Sequence, residues 1–128
     1  MKLSYNLFYV EDVAVSMDFY QRAFGLEKGF FHESGQYGEM KTGETKLGFV
    51  QHATASSHDF AYDRMSLKKT PAAFELGFTT ADVPGAYLKA VKAGATPVSA
   101  PKVKPWGQTV SYVRDINGFL IEICSPMG

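Results

Sequence analysis

The sequence predicts an α+β fold made of two tandem modules, each with the element order β-α-β-β-β. The spacing of apolar residues changes from strand-like to helix-like and back, in the same order, in each half of the chain. Three residues of the first half also recur 70 positions later; the pairs are Phe8 and Phe78, Asp12 and Asp82, and Val13 and Val83. Internal repetition of this kind indicates a repeated structural unit.

The first module begins with a predicted strand over residues 3–10, which is rich in aromatic and β-branched side chains. Glu11-Asp12 offers acceptors where a helix should begin, and Gly25 lies where a helix C-cap glycine is expected. Between these caps, apolar residues recur at helical spacing and predict one buried helix face: Val13, Met17, Tyr20 and Phe24. The turn signals Ser34-Gly35 and Thr42-Gly43 separate three further predicted strands, which span residues 28–32, 37–41 and 46–51.

The second module repeats this order. A strand is predicted over residues 74–80, and Asp82 can cap the helix that follows. Pro84 suits the first turn of that helix, where a missing N–H costs little, and Gly94 is expected to close it. Three more strands are predicted over residues 96–100, 109–114 and 119–124, with Asn117-Gly118 as a tight-hairpin signal before the last one.

We expect a single domain over residues 1–128, because a chain of this length is typical of one domain. The first module is placed at about 1–52, the connecting loop at about 53–72 and the second module at about 73–128. The connecting stretch has a mixed composition and is predicted to be a loop with room for a short helix. A connection of this length is longer than most and often carries function.

The composition excludes several classes of function. Lys plus Arg and Asp plus Glu each total 13, so the formal net charge is zero, which argues against nucleic acid or an anionic membrane as a partner. Cys124 is the only cysteine, so neither an intramolecular disulfide nor a cysteine-based zinc cluster is expected. No apolar run reaches the roughly 18 residues of a membrane span, and no signal-peptide pattern is seen. These features favour a cytoplasmic protein.

Strand alternation predicts which side chains face a concave surface. One set is expected to pack under the helices: Phe8, Val10, Leu47, Phe49, Phe74, Leu76, Phe78, Phe119, Ile121 and Ile123. The alternate set is expected on the concave side and includes Tyr5, Leu7, Tyr9, Gly48, Glu75, Leu120 and Glu122. A mostly apolar concavity with a few polar groups is typical of a ligand site. Of the adjacent pair Phe30 and Phe31, one is expected on each face.

Two stretches of the chain resemble the glyoxalase/bleomycin resistance/dioxygenase superfamily, also called vicinal oxygen chelate proteins. The first combines Tyr9-Val10-Glu11-Asp12, Met17-Asp18-Phe19-Tyr20 and Phe24-Gly25-Leu26. The second, residues 114–123, is similar to the closing motif of that superfamily, with Ile116 in place of proline and Asn117 in place of the second Asp. The resemblance covers nearly the whole chain and implies two βαβββ modules forming incomplete barrels. It also implies a homodimer, because modules of this family often pair between subunits.

The resemblance further implies four concave positions that hold a metal in the metal-dependent members. They fall on Tyr5, Gly48, Glu75 and Glu122, and only Glu122 keeps the usual ligand. Since an open catalytic site needs about three protein ligands, we expect no metal cofactor. The alternative is a weakly bound divalent metal held by Glu75 and Glu122. The three histidines are expected in loops or on the surface rather than as ligands: His32, His52 and His58.

Without the metal, the resemblance favours a small-molecule binding protein that sequesters an antibiotic or a toxic metabolite. Its predicted ligand-binding residues are Tyr5, Leu7, Tyr9, Gly48, Trp106 and Leu120. Trp106 lies in a loop and is either a stacking wall over the ligand or a packing anchor. The alternative is a lyase, isomerase or dioxygenase-like enzyme in which Glu75 and Glu122 are catalytic. If the two carboxylates approach each other, one pKa rises, which suits general acid–base catalysis. A purely structural domain with filled faces is the third hypothesis.

Overall fold

The computed structural model describes residues 1–127. The chain divides into two compact units, Met1–Arg64 (unit 1) and Met65–Gly128 (unit 2). Each unit contains one four-stranded sheet and one long helix, and each follows the predicted β-α-β-β-β order. The predicted α+β fold of two tandem modules is therefore confirmed. Among residues 1–127, no helix is long and apolar enough to cross a membrane.

Unit 1 contains the strands β1 to β4 and the helices α1 and α2. Their bounds are β1 Tyr5–Val10, α1 Val13–Phe24, β2 Glu27–Phe31, β3 Tyr37–Lys41, β4 Lys46–Gln51 and α2 His52–Ala55. The strand order in the sheet is β1-β4-β3-β2. β1 and β4 are parallel, and the other neighbours are antiparallel. The first strand begins two residues later than predicted, because its pairing with β4 starts at Tyr5.

Unit 2 contains the strands β5 to β8 and the helix α3. Their bounds are β5 Glu75–Thr79, α3 Val83–Lys92, β6 Thr96–Val103, β7 Thr109–Arg114 and β8 Leu120–Cys124. The strand order is β5-β8-β7-β6, which repeats the order of unit 1. β6 is three residues longer than predicted. It contains Pro97 and Pro101 and lies at the sheet edge, where a residue without an N–H is tolerated.

The ends of α1 follow from the predicted caps. The Asp12 carboxylate accepts a hydrogen bond from the Val15 backbone N–H at 3.0 Å, and Gly25 takes a left-handed conformation with φ 70°. The buried residues of this helix pack on the sheet of unit 1 together with Phe8, Val10, Met40 and Phe49. One face of the sheet is therefore covered by α1, as the alternation predicts.

In unit 2 the helix-side packing is looser than predicted. Ile121 and Ile123 are buried, but Phe74 is 46% exposed and Phe119 is half-buried. The reason is that Phe74 and Phe119 lie just before β5 and β8 and pack edge-to-face on each other, 6.5 Å apart. Helix α3 ends at Lys92 with Ala93 as its cap, so Gly94 follows the cap rather than forming it.

Candidate ligand-binding faces

The face of the unit 2 sheet opposite α3, here called the unit 2 open face, carries the two predicted carboxylates. Strand register places Gly77, Glu122 and Tyr112 side by side across β5, β8 and β7. The adjacent row contains Glu75 next to Leu120. Strand pairing therefore brings Glu75, Leu120 and Glu122 together on one sheet surface.

Glu122 is half-buried and is oriented by its neighbours on this face. The Tyr112 hydroxyl donates a hydrogen bond to Glu122 Oε1 at 2.8 Å. That bond, together with burial, raises the pKa of Tyr112 to about 12. Burial, followed by the nearby Glu122 carboxylate, raises the pKa of the Cys124 thiol to about 11, and the thiol itself donates to the Phe78 carbonyl at 3.7 Å. At neutral pH both groups therefore keep their protons.

Glu75 is exposed, and it lies close enough to Glu122 for the two carboxylates to interact electrostatically. Its pKa is raised by burial and by the negative charge of Glu122. Among the ion pairs of residues 1–127, neither carboxylate has a cationic partner. The unit 2 open face thus presents concentrated negative charge that its own side chains leave unneutralised.

The arginine that register places nearest this face is used elsewhere. Arg114 lies beside Leu120 but donates hydrogen bonds to backbone carbonyls. They are the carbonyls of Gly118 at 2.9 Å, Ser66 at 3.0 Å, Leu67 at 3.3 Å and Lys69 at 2.7 Å. Its guanidinium therefore holds the segment before β5 against the β7–β8 hairpin instead of neutralising the carboxylates.

The corresponding unit 1 open face, the side of that sheet opposite α1, carries the predicted residues of β1. Tyr5 and Leu7 are 55% and 42% exposed and Tyr9 is half-buried, whereas Phe8 and Val10 are each 1% exposed. The strand alternation predicted for β1 is therefore confirmed. Tyr5, Leu7 and Tyr9 share this face with Gly48, which pairs with Leu7.

Gly48 has no side chain and therefore supplies no ligand atom at its family position. A side chain at this position would lie 2.7 Å from Leu7 Cδ2 and 3.2 Å from the Tyr37 hydroxyl. A side chain at this position would therefore require the Leu7 side chain to move. Of the remaining family positions, Tyr5 is an exposed phenol, and only Glu75 and Glu122 are carboxylates. Within residues 1–127, no group of three or more His, Cys, Asp or Glu is placed to hold a metal, so the chain does not fit the four-ligand set.

Sequence reasoning missed a polar pair on the unit 1 open face. The Tyr37 hydroxyl donates a hydrogen bond to Glu39 Oε2 at 2.7 Å. Burial, this hydrogen bond and the charge of Glu39 raise the pKa of Tyr37 well above its ordinary value of 10. The alternation of β3 could have indicated this pair. Gly38 and Met40 are buried on the helix side, so Tyr37 and Glu39 must both lie on the opposite face.

The two adjacent phenylalanines of β2 lie on different faces. The Phe30 ring is 6.4 Å from that of Tyr37, which places it at the unit 1 open face. Phe31 instead lines a shallow cavity of about 250 Å³ beside α1, with Ala14 and Met17. The expected split between the faces is therefore confirmed, with Phe30 on the open side.

Trp106 lies apart from the carboxylates. It is 62% exposed, and its Nε1 donates a hydrogen bond to Gln108 Oε1 at 2.9 Å. It lines a cavity of about 220 Å³ with Gly107, Gln108, Pro126 and Met127, at the end of the sheet where β7 begins. Trp106 is thus outside the strand rows that carry Glu75 and Glu122.

One histidine differs from the prediction. His32 and His58 are exposed, as expected, but His52 is only 3% exposed at the start of α2. Its Nδ1 hydrogen-bonds the Tyr62 hydroxyl at 2.7 Å. Burial and the positive charge of Arg64 lower the pKa of His52, against the opposing effect of Glu11. The expectation of a surface position for His52 is wrong because the segment after α2 folds back over it.

These features define an α+β protein with two tandem βαβββ modules, each with one helix-covered and one open sheet face. A sequence profile of the glyoxalase-like domain matches residues 3–128, and the chain belongs to this family. No significant match was found among curated proteins.

Solved structures show the same fold at low sequence identity. A glyoxalase-related enzyme from Fulvimarina pelagi has a TM-score of 0.84 at 18% identity, covering 98% of this chain and 88% of that one. A glyoxalase/bleomycin resistance protein/dioxygenase family enzyme from Burkholderia phytofirmans has a TM-score of 0.77 at 22% identity, covering 98% of both chains. A member of the same superfamily from Sphaerobacter thermophilus has a TM-score of 0.71 at 18% identity, with 98% of both chains covered.

Proposed function

We propose that the protein binds a small molecule on its open sheet faces without a catalytic metal, and that it sequesters an antibiotic or a toxic metabolite. The observation that carries this function is the unit 2 open face, where Glu75 and Glu122 lie together with no cationic partner among residues 1–127. Like charges held close together are costly unless a ligand or a proton neutralises them.

The neighbouring groups suit recognition rather than turnover. Tyr112 fixes one oxygen of Glu122 and keeps its own proton at neutral pH. Leu120 adds an apolar contact in the row of Glu75. On the unit 1 open face, the exposed aromatic and aliphatic side chains of Tyr5 and Leu7 offer surface for stacking and burial.

The first experiment measures binding of metal-free bleomycin, together with a panel of other antibiotics, by isothermal titration calorimetry in the presence of a chelator. Bleomycin is the first probe because the superfamily relatives carry bleomycin resistance in their names. We expect binding without metal, weakened by roughly tenfold in Glu122→Gln, in line with a charge-assisted contact. Glu44→Gln is the control, because Glu44 is a highly exposed turn residue outside the strands.

The bound compound is then released and its mass measured. Recovery of the unchanged compound supports sequestration, whereas a modified product contradicts it. Absence of binding by every compound of the panel, or equal affinity in Glu122→Gln and the native protein, contradicts the assignment of the unit 2 open face.

The raised pKa of Glu75 favours a second candidate function, which is a glyoxalase-like lyase or isomerase using acid–base catalysis. A carboxylic acid that holds its proton to higher pH is better suited to donate it to a substrate. Turnover would then follow a bell-shaped pH profile and would fall by roughly a hundredfold or more in Glu122→Gln with the fold intact, as for loss of one acid–base group. An unchanged rate in Glu122→Gln removes this alternative.

We also propose that the protein acts as a cytoplasmic homodimer. The support is the family membership and the single cysteine, which is buried and free. Sedimentation equilibrium measures the oligomeric state directly, and a monomer at the concentrations used for binding contradicts the homodimer.

A further inference from the structure

We propose that the unit 1 open face carries its own recognition site for an organic ammonium group, formed by Glu39 and walled by Tyr5, Phe30 and Tyr37. The site rests on the proposed binding function and deepens it by naming a chemical class of ligand. It uses none of the residues of the unit 2 open face, so the two assignments are tested separately.

The direction of Glu39 follows from its neighbours on β3. Met40 is fully buried, and a side chain at Gly38 would collide with Met17 and meet Val13 of α1. Both neighbours thus face the helix, and alternation sends Glu39 to the opposite side. Register places it next to Gly48, whose missing side chain leaves room for the Tyr37 hydroxyl.

The carboxylate of Glu39 is held on one side and open on the other. Tyr37 donates to Oε2 at 2.7 Å, while Oε1 has no hydrogen-bond partner among residues 1–127. Among residues 1–127, no lysine or arginine lies within ion-pair distance of it. Lys41 pairs with Glu27 at 3.1 Å, and Lys46, which lies on the adjacent strand, makes no ion pair with Glu39. Glu39 is therefore an oriented negative charge with one unused acceptor.

Aromatic side chains lie on the same open face as this charge. Phe30 is 56% exposed, with its ring 6.4 Å from that of Tyr37. Tyr5 is 55% exposed and lies close enough to Tyr37 to contribute to the raised pKa of that phenol, after burial and the hydrogen bond to Glu39. Three rings and one carboxylate therefore share the same open surface.

This combination selects a positive, partly apolar group. The faces of aromatic rings attract cations, and the effect grows as water is removed. A carboxylate with a free oxygen adds an ion pair, whereas it repels an anion and gains little from a neutral apolar group. An alkylammonium or quaternary ammonium group satisfies both the rings and Glu39.

The test is a titration of the full chain with tetramethylammonium chloride, followed by two-dimensional NMR. Sodium chloride at equal ionic strength is the salt control, and tert-butanol is the neutral probe of similar shape. We expect shifts at residues of the unit 1 open face, with tetramethylammonium binding more tightly than tert-butanol. Each ring is expected to contribute a roughly twofold to fivefold gain in affinity, as is typical of exposed cation–π contacts.

Glu39→Gln removes the charge but keeps an acceptor for the Tyr37 hydroxyl, so the fold is expected to survive. Its affinity for tetramethylammonium should fall roughly threefold to tenfold, as expected for a lost charged contact. Glu33→Gln is the matched control, since Glu33 is an exposed residue of the turn between β2 and β3, and Glu27 is left in place to keep Lys41 paired. Phe30→Leu is the second variant; it removes a ring at an exposed position and keeps apolar bulk.

The site is contradicted if tert-butanol binds as tightly as tetramethylammonium, or if Glu39→Gln and Phe30→Leu both bind like the native protein. Shifts confined to unit 2 also contradict it. In that last case the unit 2 open face keeps its assignment. Conversely, equal bleomycin affinity in Glu122→Gln and the native protein contradicts the unit 2 open face but has no bearing on the Glu39 site. Failure of the proposed function and failure of the ammonium site are therefore distinguishable.

Discussion

At the scale of single residues, the turn between β7 and β8 requires glycine at position 118 for two separate reasons. Asp115 is fully buried, and its Oδ1 accepts hydrogen bonds from the backbone N–H groups of Asn117 at 2.8 Å and Phe119 at 2.9 Å. Gly118 has φ 98°, and a side chain there would lie 2.6 Å from the backbone of Ser66. The turn therefore needs glycine both for its conformation and for the close approach of another segment.

Two glycine substitutions separate these demands. Gly43 has φ 95° with no atom within 4 Å of an added side chain, so Gly43→Ala adds strain alone, expected to cost about 1–2 kcal/mol. Gly118→Ala adds the same strain and a collision with a backbone that cannot rotate away, so we expect a further cost of about 1–3 kcal/mol. The measurement is the free energy of unfolding by urea denaturation. Equal losses in the two variants would show that Ser66 does not press on Gly118.

At the scale of elements, the segment after β4 is organised by His52. The rings of His52 and Tyr62 stack 5.8 Å apart with 13° between their planes, and the two are also hydrogen-bonded. Tyr62 in turn packs edge-on against Tyr9, at 4.9 Å between ring centres. Arg64 pairs with Glu11 at 3.3 Å. These contacts fold residues 56–64 back onto the end of β1.

This arrangement predicts a pH dependence with a definite sign. The pKa of His52 is lowered in the folded protein because burial, followed by the charge of Arg64, disfavours the protonated ring. The stabilisation by neutral His52 is therefore complete above its unfolded pKa of about 6.5 and is lost as the pH falls below it. We expect the segment to loosen under mild acid, with faster proteolysis of residues 56–64 at acidic than at neutral pH, using a protease active at both.

The charge of Glu11 opposes this shift, so Glu11→Gln should lower the pKa of His52 further. Glu33→Gln, an exposed residue of the β2–β3 turn, is the control. An NMR titration of the His52 ring signals measures both variants. A pKa of His52 at or above 6.5 in the native protein would contradict the burial of this ring.

At the scale of the whole molecule, the residues at the family metal positions predict independence from metal. Gly48 has no ligand atom, and Glu75 and Glu122 alone make a weak set for a transition metal. We expect prolonged dialysis against a chelator to leave the melting temperature unchanged. Adding one equivalent of Zn²⁺ or Ni²⁺ should not raise it, in the native protein or in Glu122→Gln. Stoichiometric metal in the purified protein, lost in Glu122→Gln, would contradict this expectation.

Much of the molecule was predictable from local patterns. The bounds of β3, β4 and β7 were predicted to the residue, because turn residues bracket short alternating segments. The caps of α1 were equally clear, since Asp12 and Gly25 act within one helical turn of themselves. The predicted positions of Glu75 and Glu122 on one face follow from the same alternation. Their role in binding stays a prediction.

The errors share a different cause. His52 was expected near the surface, because nothing in its immediate neighbours shows that Tyr62 covers it ten residues later. Phe74 was expected under α3, but it lies just outside the strand and pairs with Phe119. The pair of Tyr37 and Glu39 was visible in the alternation of β3, but their hydrogen bond depends on the space left by Gly48 on the next strand.

The sequence by itself determined the order of the elements, their caps and turns, and which side chains face the open sheet surfaces. These features depend on interactions between residues a few positions apart, so the patterns that produce them can be recognised in the sequence. Only the tertiary structure decided that Arg114 donates its hydrogen bonds to backbone carbonyls and that Leu7 and Tyr37 lie close to Gly48. It also decided that Glu39 accepts a hydrogen bond from Tyr37 on one carboxylate oxygen. Each depends on distances between separate strands and loops, which strand register and side-chain packing fix.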